Sequence, residues 1–322
     1  MTTKRTKPMR FQERDSQIIT AIHTYDGVLA RRHLKEMFWP EASQQAMERR
    51  LSILRHNDYL EWPSKDQRRV HAIPEPVVWL GWRGALHLAS TLNLLVEEPV
   101  KVGENQLRKL ARNLRDKGVR WQREPRWSQL AHDLGVVDFR LAVERSVAQW
   151  PPLELETWLP EGEFLTDTDR ISFTFADRHG KLVEKRRGVR PDSFFIIRDH
   201  LRPIKGAPAR ARFLLEFDNS THPLDRFGKE KALAGLAYVR SEAYKARFGY
   251  NSGRWLVVCV SQARLENLKA QTEKVLEKEV RHFNFTTLQQ VLSSDVLSAP
   301  IWVRGGFDKR EPLIRNISGS RR

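Results

Sequence analysis

Cysteine is almost absent from this chain. Of its 322 residues only Cys259 is a cysteine, and it lies inside the apolar run Trp255–Val260. A single thiol cannot form an internal disulfide, so a reducing cytoplasm is the expected compartment. The apolar neighbours predict that Cys259 is a buried core residue, with a reactive thiol as the alternative.

Long hydrophobic runs are missing as well. No segment approaches the roughly 18 apolar residues that are needed to cross a bilayer. The chain is nevertheless 40% apolar and contains ten Trp and fifteen Phe, which indicates a folded globular protein rather than a disordered one. Its length is sufficient for two domains, each with its own core.

The signature motifs of several enzyme classes do not occur. There is no Gly-x-x-x-x-Gly-Lys phosphate-binding loop, which argues against an ATPase. No two of the ten histidines are two residues apart, so the His-hydrophobe-His pair of rolling-circle relaxases is lacking. Tyr238, Tyr244 and Tyr250 recur every six residues, which suits no single helix face, and a tyrosine nucleophile is not favoured.

Acidic residues are in deficit. The chain has 40 of them against 56 lysines and arginines, which leaves a formal net charge of +16. So large a positive charge predicts a polyanionic partner, of which nucleic acid is the commonest. A membrane surface would be the competing partner, but no amphipathic anchor supports it.

Residues 10–98 show the pattern of a winged helix-turn-helix domain. Three helical stretches, the third capped by Ser43 and running to about Asn57, precede a strand, a polar tip over Pro63–Arg69 and a return strand. In that architecture the third helix enters the major groove of duplex DNA and the hairpin lies along the backbone. The alternative is a small helical domain with an ordinary charged face. The residues that would contact DNA are Gln44, Gln45, Arg49 and Arg50 on the helix, and Lys65, Arg68 and Arg69 on the phosphates.

Residues 99–127 are predicted to connect this domain to a second one. Between Lys101 and Arg126 there are nine lysines and arginines against three acids. This charge fits either a solvated face or a strip that contacts phosphates. From 128 to 315 the pattern becomes mixed α/β, with a helix, several strands and later helices that alternate with strands. Among these elements are a helix from about Asp225 to Ala246 and a strand over Phe283–Thr287. A mixed sheet flanked by helices is therefore expected.

Acidic side chains occur on two otherwise apolar strands of this second domain. Asp192 lies on the first, and Glu216 and Asp218 lie on the second, two residues apart and so on one face. Buried carboxylates need a metal or a cation, because an unpaired buried charge is costly. Oxygen donors of this kind suit Mg²⁺ or Mn²⁺, and Lys229 or Lys231 on the following helix could neutralise a phosphorus-centred anion.

Ion pairs within the protein are the alternative explanation of these acids. Four arginines lie near them in the sequence: Arg190, Arg198, Arg212 and Arg226. If Asp218 pairs with an arginine, a three-carboxylate metal site cannot form there.

The order of motifs resembles that of the replication-relaxation family. After the winged-helix pattern come the segment 132–138 (HDLGVVD), the Pro191-Asp192 strand, and the segment 214–221 (LLEFDNST) with a downstream Lys and Tyr. The resemblance implies a DNA-binding protein of plasmids and integrative elements that acts in replication and DNA relaxation or transfer. Replication or transfer proteins would be its partners.

The second domain is also similar in layout to the PD-(D/E)XK nuclease fold. That likeness implies that Asp192 is the first acid of the site and Glu216 the second. Asp218 stands where the family has its lysine, so Lys229 or Lys231 would have to replace it. The activity implied is that of a metal-dependent DNA endonuclease or nickase. The alternative is a transcriptional or replication regulator whose nuclease-like domain only makes contacts.

Overall fold

The polypeptide folds as two units, residues 1–137 and residues 138–322. The structure is a computed structural model and describes residues 9–99, 102–176, 180–204, 206–220, 227–315 and 317. Both units combine helices with β-strands, so the chain belongs to the α+β class, as predicted. Among the described residues no helix is both long and apolar enough to cross a membrane.

The first unit packs its helices against a small antiparallel sheet. Its elements are α1 (Glu13–Thr24), β1 (Val28–Ala30), α2 (Arg31–Phe38), α3 (Gln44–His56), β2 (Leu60–Glu61), α4 (Lys65–Val70), β3 (Val77–Leu80), α5 (Trp82–Thr91) and α6 (Glu104–Asp116). The sheet has the order β1-β3-β2. Met47, Leu51 and Leu54 of α3 follow the spacing i, i+4, i+7, and all three are fully buried.

Two predictions in this unit can be compared directly with the structure. Ser43 caps α3, as predicted, because its hydroxyl accepts a hydrogen bond from the N–H of Ala46. The polar tip predicted over Pro63–Arg69, by contrast, contains a helix that the sequence pattern does not predict, α4. Ser64 and Gln67 account for the difference, since each side chain accepts a backbone N–H of the other residue and the two together form a capping box.

The second unit is built on a larger sheet. The elements from its boundary onward are α7 (Leu130–Gln149), β4 (Leu153–Pro160), α8 (Glu161–Thr166), β5 (Arg170–Ala176), β6 (Leu182–Gly188), β7 (Ser193–Ile204), β8 (Ala207–Asp218), α9 (Leu233–Val239), α10 (Glu242–Phe248), β9 (Arg254–Cys259), α11 (Gln262–Leu276), β10 (Phe283–Thr287), α12 (Leu288–Ser293), β11 (Trp302–Arg304) and β12 (Arg310–Glu311). In the described part of the chain the sheet has seven strands in the order β12-β11-β10-β9-β8-β7-β4. Strands β5 and β6 form a separate antiparallel hairpin.

The directions of the strands bring the acidic residues to one end of the sheet. Strands β4, β7 and β8 form an antiparallel meander, whereas β9 and β10 run parallel to β8. Ser193 of β7 pairs with Leu215 of β8, so residues 192 and 216 come opposite each other one step further along. The same face carries a large apolar core that includes Phe194, Leu214 and Val257.

The helix predicted from about Asp225 to Ala246 is divided into three pieces. Phe227–Ala232 form a π-helical turn, and α9 and α10 follow it. The break before α10 occurs because the Ser241 hydroxyl accepts the N–H of Tyr244 and starts a new helix. Residues 225 and 226 lie outside the described part of the chain. Cys259 is fully buried on β9, as predicted.

Candidate active site

Asp192 and Glu216 lie side by side at the junction of β7 and β8. The backbone N–H of Asp192 donates to the carbonyl oxygen of Leu215 at 2.9 Å, and the N–H of Phe217 donates to Oδ2 of Asp192 at 2.6 Å. These two bonds fix the Asp192 carboxylate against the end of β8. Both carboxylates are almost buried, at 8% and 6% exposure. Two negative charges are therefore held close together with little solvent to screen them.

Lys231 provides the positive charge of this cluster. Its ammonium group donates a hydrogen bond to Oε1 of Glu216 from the π-helical turn. Burial lowers the pKa of Lys231, but the charges of Glu216 and Asp192, the hydrogen bond to Glu216 and the charge of Asp218 outweigh it and hold the pKa above its ordinary value. Lys231 is consequently a cation at neutral pH and cannot accept a proton from water.

Close packing holds the turn that carries Lys231 over the sheet. A Cβ atom at Gly228 would lie 2.8 Å from the carbonyl oxygen of Gln271, so only glycine allows the turn to approach α11 this closely. π-Helical turns are rare and are found disproportionately at functional sites. The side chain of Lys229, the other predicted lysine, lies outside the described residues.

A cavity of about 270 Å³ opens beside Glu216 and Lys231. Its apolar wall comes from Phe227, Trp255 and Phe283. Arg187, Arg190 and Glu230 are the other charged residues that line it. Arg187 donates to Glu230 at 3.0 Å. The cavity thus combines apolar surface with arginines and the Glu216–Lys231 pair, as ligand sites commonly do.

Asp218 is not part of this cluster, contrary to the prediction. Nε of Arg264 donates to its Oδ1 at 2.7 Å and Nη2 donates to its Oδ2 at 3.0 Å. Both carboxylate oxygens are therefore engaged by one guanidinium, and the pair is closed to solvent, with Asp218 at 4% and Arg264 at 11% side-chain exposure. Within the described residues no group of three or more His, Cys, Asp or Glu side chains is placed to hold a metal. In this structure Asp218 is thus the ion-pair partner of Arg264, whereas the prediction makes it a third metal ligand.

Of the four candidate DNA-contacting residues on α3, three are exposed and one is engaged in an ion pair within the protein. Gln44, Gln45 and Arg49 are exposed on α3. Arg50 instead faces the interior, because its guanidinium donates to both oxygens of the fully buried Asp15 and to the carbonyl oxygen of Arg10. Arg50, which is predicted to contact DNA, is thus paired with a buried acid in this structure.

A basic cluster lies next to these residues. Lys65, Arg68 and Arg69 are exposed on α4. The guanidiniums of Arg31 and Arg55 lie over the ring of Trp62, at 4.6 and 4.4 Å from its centre. Burial lowers the pKa of Arg55; the charge of Glu61 opposes that effect, and the charges of Arg68 and Arg31 add to it. Arginines of α2, α3 and α4 are therefore close enough to influence one another.

A family model described as replication-relaxation matches residues 22–251. The chain belongs to the replication-relaxation family. No curated protein and no solved structure matches it. Membership indicates a role in the replication or relaxation of mobile DNA elements. The matched range of this replication-relaxation protein includes Asp192, Glu216 and Lys231, whereas Arg264 lies beyond its end.

Arg264 of this replication-relaxation protein was not identified from the sequence as the partner of Asp218. The arginines considered as partners of Asp218 were its neighbours in the sequence, whereas Arg264 is 46 residues away. A signal was nevertheless present. Because β9 runs parallel to β8 and Cys259 pairs with Asp218, the helix that begins after β9 starts beside Asp218. An arginine in the first turn of that helix is within reach of the carboxylate.

Proposed function

We propose that the chain is a DNA-binding nuclease of a mobile element, in which the first unit binds duplex DNA and the second cuts or nicks a strand. The observation that carries this proposal is the cluster of Asp192, Glu216 and Lys231 at the end of β8. Two buried carboxylates and a lysine that is a cation at neutral pH, beside an open cavity, are groups that metal-dependent phosphodiester hydrolysis uses. The protein would act in the cytoplasm, with replication or transfer proteins as partners.

Asp192 and Glu216 fit a magnesium or manganese ion. Hard divalent cations prefer carboxylate oxygens, and Mg²⁺ is usually held by one or two carboxylates together with water and substrate phosphates. The loss of Asp218 to Arg264 therefore leaves a sufficient donor set. When bound, such an ion supplies Lewis-acid activation of the phosphate and lowers the pKa of a bound water.

The role of Lys231 follows from its charge. Since its pKa is held above the ordinary value, the ammonium cannot serve as a general base. It would instead neutralise the charge that develops on the phosphate oxygens in the transition state. Arg187 and Arg190, which line the same cavity, would hold the phosphates on either side of the reacting bond.

The first unit supports the DNA-binding part of the proposal. Its antiparallel sheet and the exposed, polar start of α3 are compatible with a winged helix-turn-helix, with Gln44, Gln45 and Arg49 reading base edges. Helix α4, which connects β2 to β3, would form the tip of the wing. Its exposed Lys65, Arg68 and Arg69 would contact phosphates.

A plasmid-nicking assay tests the catalytic proposal. The wild-type protein should convert supercoiled plasmid to nicked or linear DNA in Mg²⁺ and not in EDTA. Lys231→Met and Asp192→Asn should each slow the reaction by about 100-fold or more, the usual effect of removing one group that stabilises the transition state. Asp308→Asn is the control, because Asp308 is fully exposed and far from β8 in the sequence. Equal rates for all four proteins would overturn the assignment.

A second function, a non-catalytic DNA-binding regulator, is favoured by one observation. Glu216 and Asp218 are each already neutralised by a base of the protein itself. A nuclease-like domain that has no catalytic role would be expected to keep its acidic residues in ion pairs of this kind. Absence of nicking by the wild-type protein in Mg²⁺ and in Mn²⁺, with intact binding to duplex DNA, would decide for the regulator.

A further inference from the structure

A second charged cavity, of about 380 Å³, lies towards the other end of the central strands. Asp199, which lines it, is seven residues from Asp192 along the extended β7 region, so at about 3.4 Å per residue the two carboxylates are roughly 24 Å apart. The basic side chains that line this cavity are Arg202, Arg210, Arg254, Arg304 and Arg315, and its acids are Asp199 and Glu311. This is a concentration of arginine that neither the catalytic cluster nor the DNA-binding face uses.

Some of these arginines are already paired. Arg210 donates to Glu156 at 2.7 Å, and Arg315 donates to Glu311. Arg304 donates to the carbonyl oxygen of Arg281 at 3.1 Å, and Arg202 to that of Arg315 at 3.3 Å. These carbonyl contacts leave the charges of Arg304 and Arg202 without a carboxylate partner among the described residues.

Arg254 is the least satisfied member of the group. Its guanidinium lies over the ring of Phe213, 4.9 Å from the ring centre, and has no hydrogen bond or ion pair with a described residue. Burial lowers the pKa of Arg254 below its ordinary value; the charges of Arg304 and Arg315 add to this effect, and Glu311 opposes it. A cation held in this way is costly unless an anion accompanies it.

Asp199 provides a second unsatisfied group in the same cavity. One of its oxygens, Oδ1, accepts the N–H of Leu201 at 3.0 Å. The other, Oδ2, is buried and has no hydrogen-bond partner in the described part of the structure. Buried polar atoms without a partner are rare in folded proteins. A ligand that carries an N–H or O–H donor near its anionic group would satisfy Asp199 and Arg254 together.

We propose that this cavity is a phosphate-binding site for a nucleotide unit. The phosphate would lie between Arg254 and Arg304, since a planar guanidinium group can donate two parallel hydrogen bonds to two oxygens of one phosphate. Asp199 would accept a hydrogen bond from the sugar hydroxyl or the base. The phosphate can come from a free nucleoside monophosphate or from the phosphorylated end of a DNA strand, because both present the same group. The site does not depend on nuclease activity at Glu216.

Isothermal titration calorimetry on the full chain tests this site. The probes are inorganic phosphate, deoxyguanosine 5′-monophosphate, and a single-stranded oligonucleotide of about twelve nucleotides with or without a 5′-phosphate. Arg254→Gln and Arg304→Gln should each weaken binding of the phosphate-bearing probes by about tenfold or more, as expected for loss of a charged hydrogen bond. Arg170→Gln is the matched control, because Arg170 is exposed on β5 and does not line the cavity.

The outcomes separate the possibilities. Tighter binding of the 5′-phosphorylated oligonucleotide than of the nucleotide identifies DNA ends as the source of the phosphate, and the reverse order identifies the free nucleotide. The proposal is overturned if no phosphate-bearing probe binds the wild-type protein, or if Arg304→Gln binds every probe as tightly as Arg170→Gln does. A thermal melt checks whether Arg254→Gln is folded. If that variant unfolds, Arg304→Gln still tests the proposal, because Arg304 is only half-buried and its replacement should leave the fold intact.

Discussion

Glu216 and Asp218 differ far more in their surroundings than in their positions on β8. Both are nearly buried acids on one face of the same strand, and both bind a basic side chain from a following helical segment. Arg264 holds Asp218 through two hydrogen bonds in a pair that is closed to solvent. Lys231 holds Glu216 beside Asp192, is 35% exposed and lines a cavity.

The comparison shows that the basic partner of a buried acid determines whether its carboxylate can bind a ligand. A bidentate arginine engages both oxygens of a carboxylate in a fixed geometry and, in a pair that is closed to solvent, shields them from an incoming ligand. A lysine is a point charge that engages one oxygen and can be displaced or shared. The Asp218–Arg264 pair is accordingly expected to support the fold, and the Glu216–Lys231 pair to bind a substrate and act on it.

The largest expected effect on stability comes from opening the closed pair. Arg264→Met leaves the buried Asp218 without its positively charged partner, which should lower the free energy of unfolding by about 3–5 kcal/mol. Lys231→Met is the matched variant and should cost less than Arg264→Met, because the lysine side chain is one third exposed and water can partly replace its charge beside Glu216. Urea titrations of both variants measure the difference. A larger cost for Lys231→Met would reverse the roles of the two pairs.

A smaller effect on stability is expected for two adjacent arginines of α3, of which Arg50 pairs with a buried acid and Arg49 is exposed. Arg50→Met should cost about 3 kcal/mol, because Asp15 is fully buried and loses its positively charged partner. Arg49→Met should change stability by no more than about 0.5 kcal/mol, but should weaken binding to the recognised DNA sequence by about 1–3 kcal/mol, as expected for a side chain that reads a base edge. Unfolding curves and DNA titrations at several salt concentrations test both statements. DNA binding that depends on Arg50 in a fully folded variant would contradict them.

The smallest effect concerns pH. The pKa of Lys231 is raised in the folded state, so the stability that its charge contributes is fully present below its ordinary pKa of 10.5 and is lost as the pH rises through the higher folded value. The difference in unfolding free energy between wild type and Lys231→Met should therefore stay constant between about pH 7 and pH 10 and shrink above that range. A difference that already falls between pH 7 and pH 9 would show that Lys231 is not held as a cation.

Local patterns were sufficient to predict many elements of the fold. The strand Phe283–Thr287 has the predicted bounds, and the Ser43 cap and the buried face of α3 were predicted as well. These features depend on residues within a few positions of one another, where periodicity and capping chemistry act. The α4 tip was missed because a six-residue helix is too short for periodicity to reveal it.

The candidate site could be predicted only in part, because its pairings are distant in the sequence. The two-residue spacing correctly placed Glu216 and Asp218 on one strand face. Which base meets which acid depends on the strand order, since Lys231 arrives from the next helical segment and Arg264 from the one after β9. Arg50 shows the same limitation, because nothing in the pattern of α3 reveals that a buried acid of α1 lies beneath it.

The rate of plasmid nicking by Glu216→Gln and Asp218→Asn, measured side by side in Mg²⁺, tests the central claim most directly. Both variants remove one negative charge from the same face of β8 and keep the shape of the side chain. Glu216→Gln should lose about 100-fold or more of the wild-type rate, whereas Asp218→Asn should stay within about threefold of it, because only Glu216 belongs to the open cluster. Equal losses in the two variants, or a greater loss in Asp218→Asn, would contradict the account.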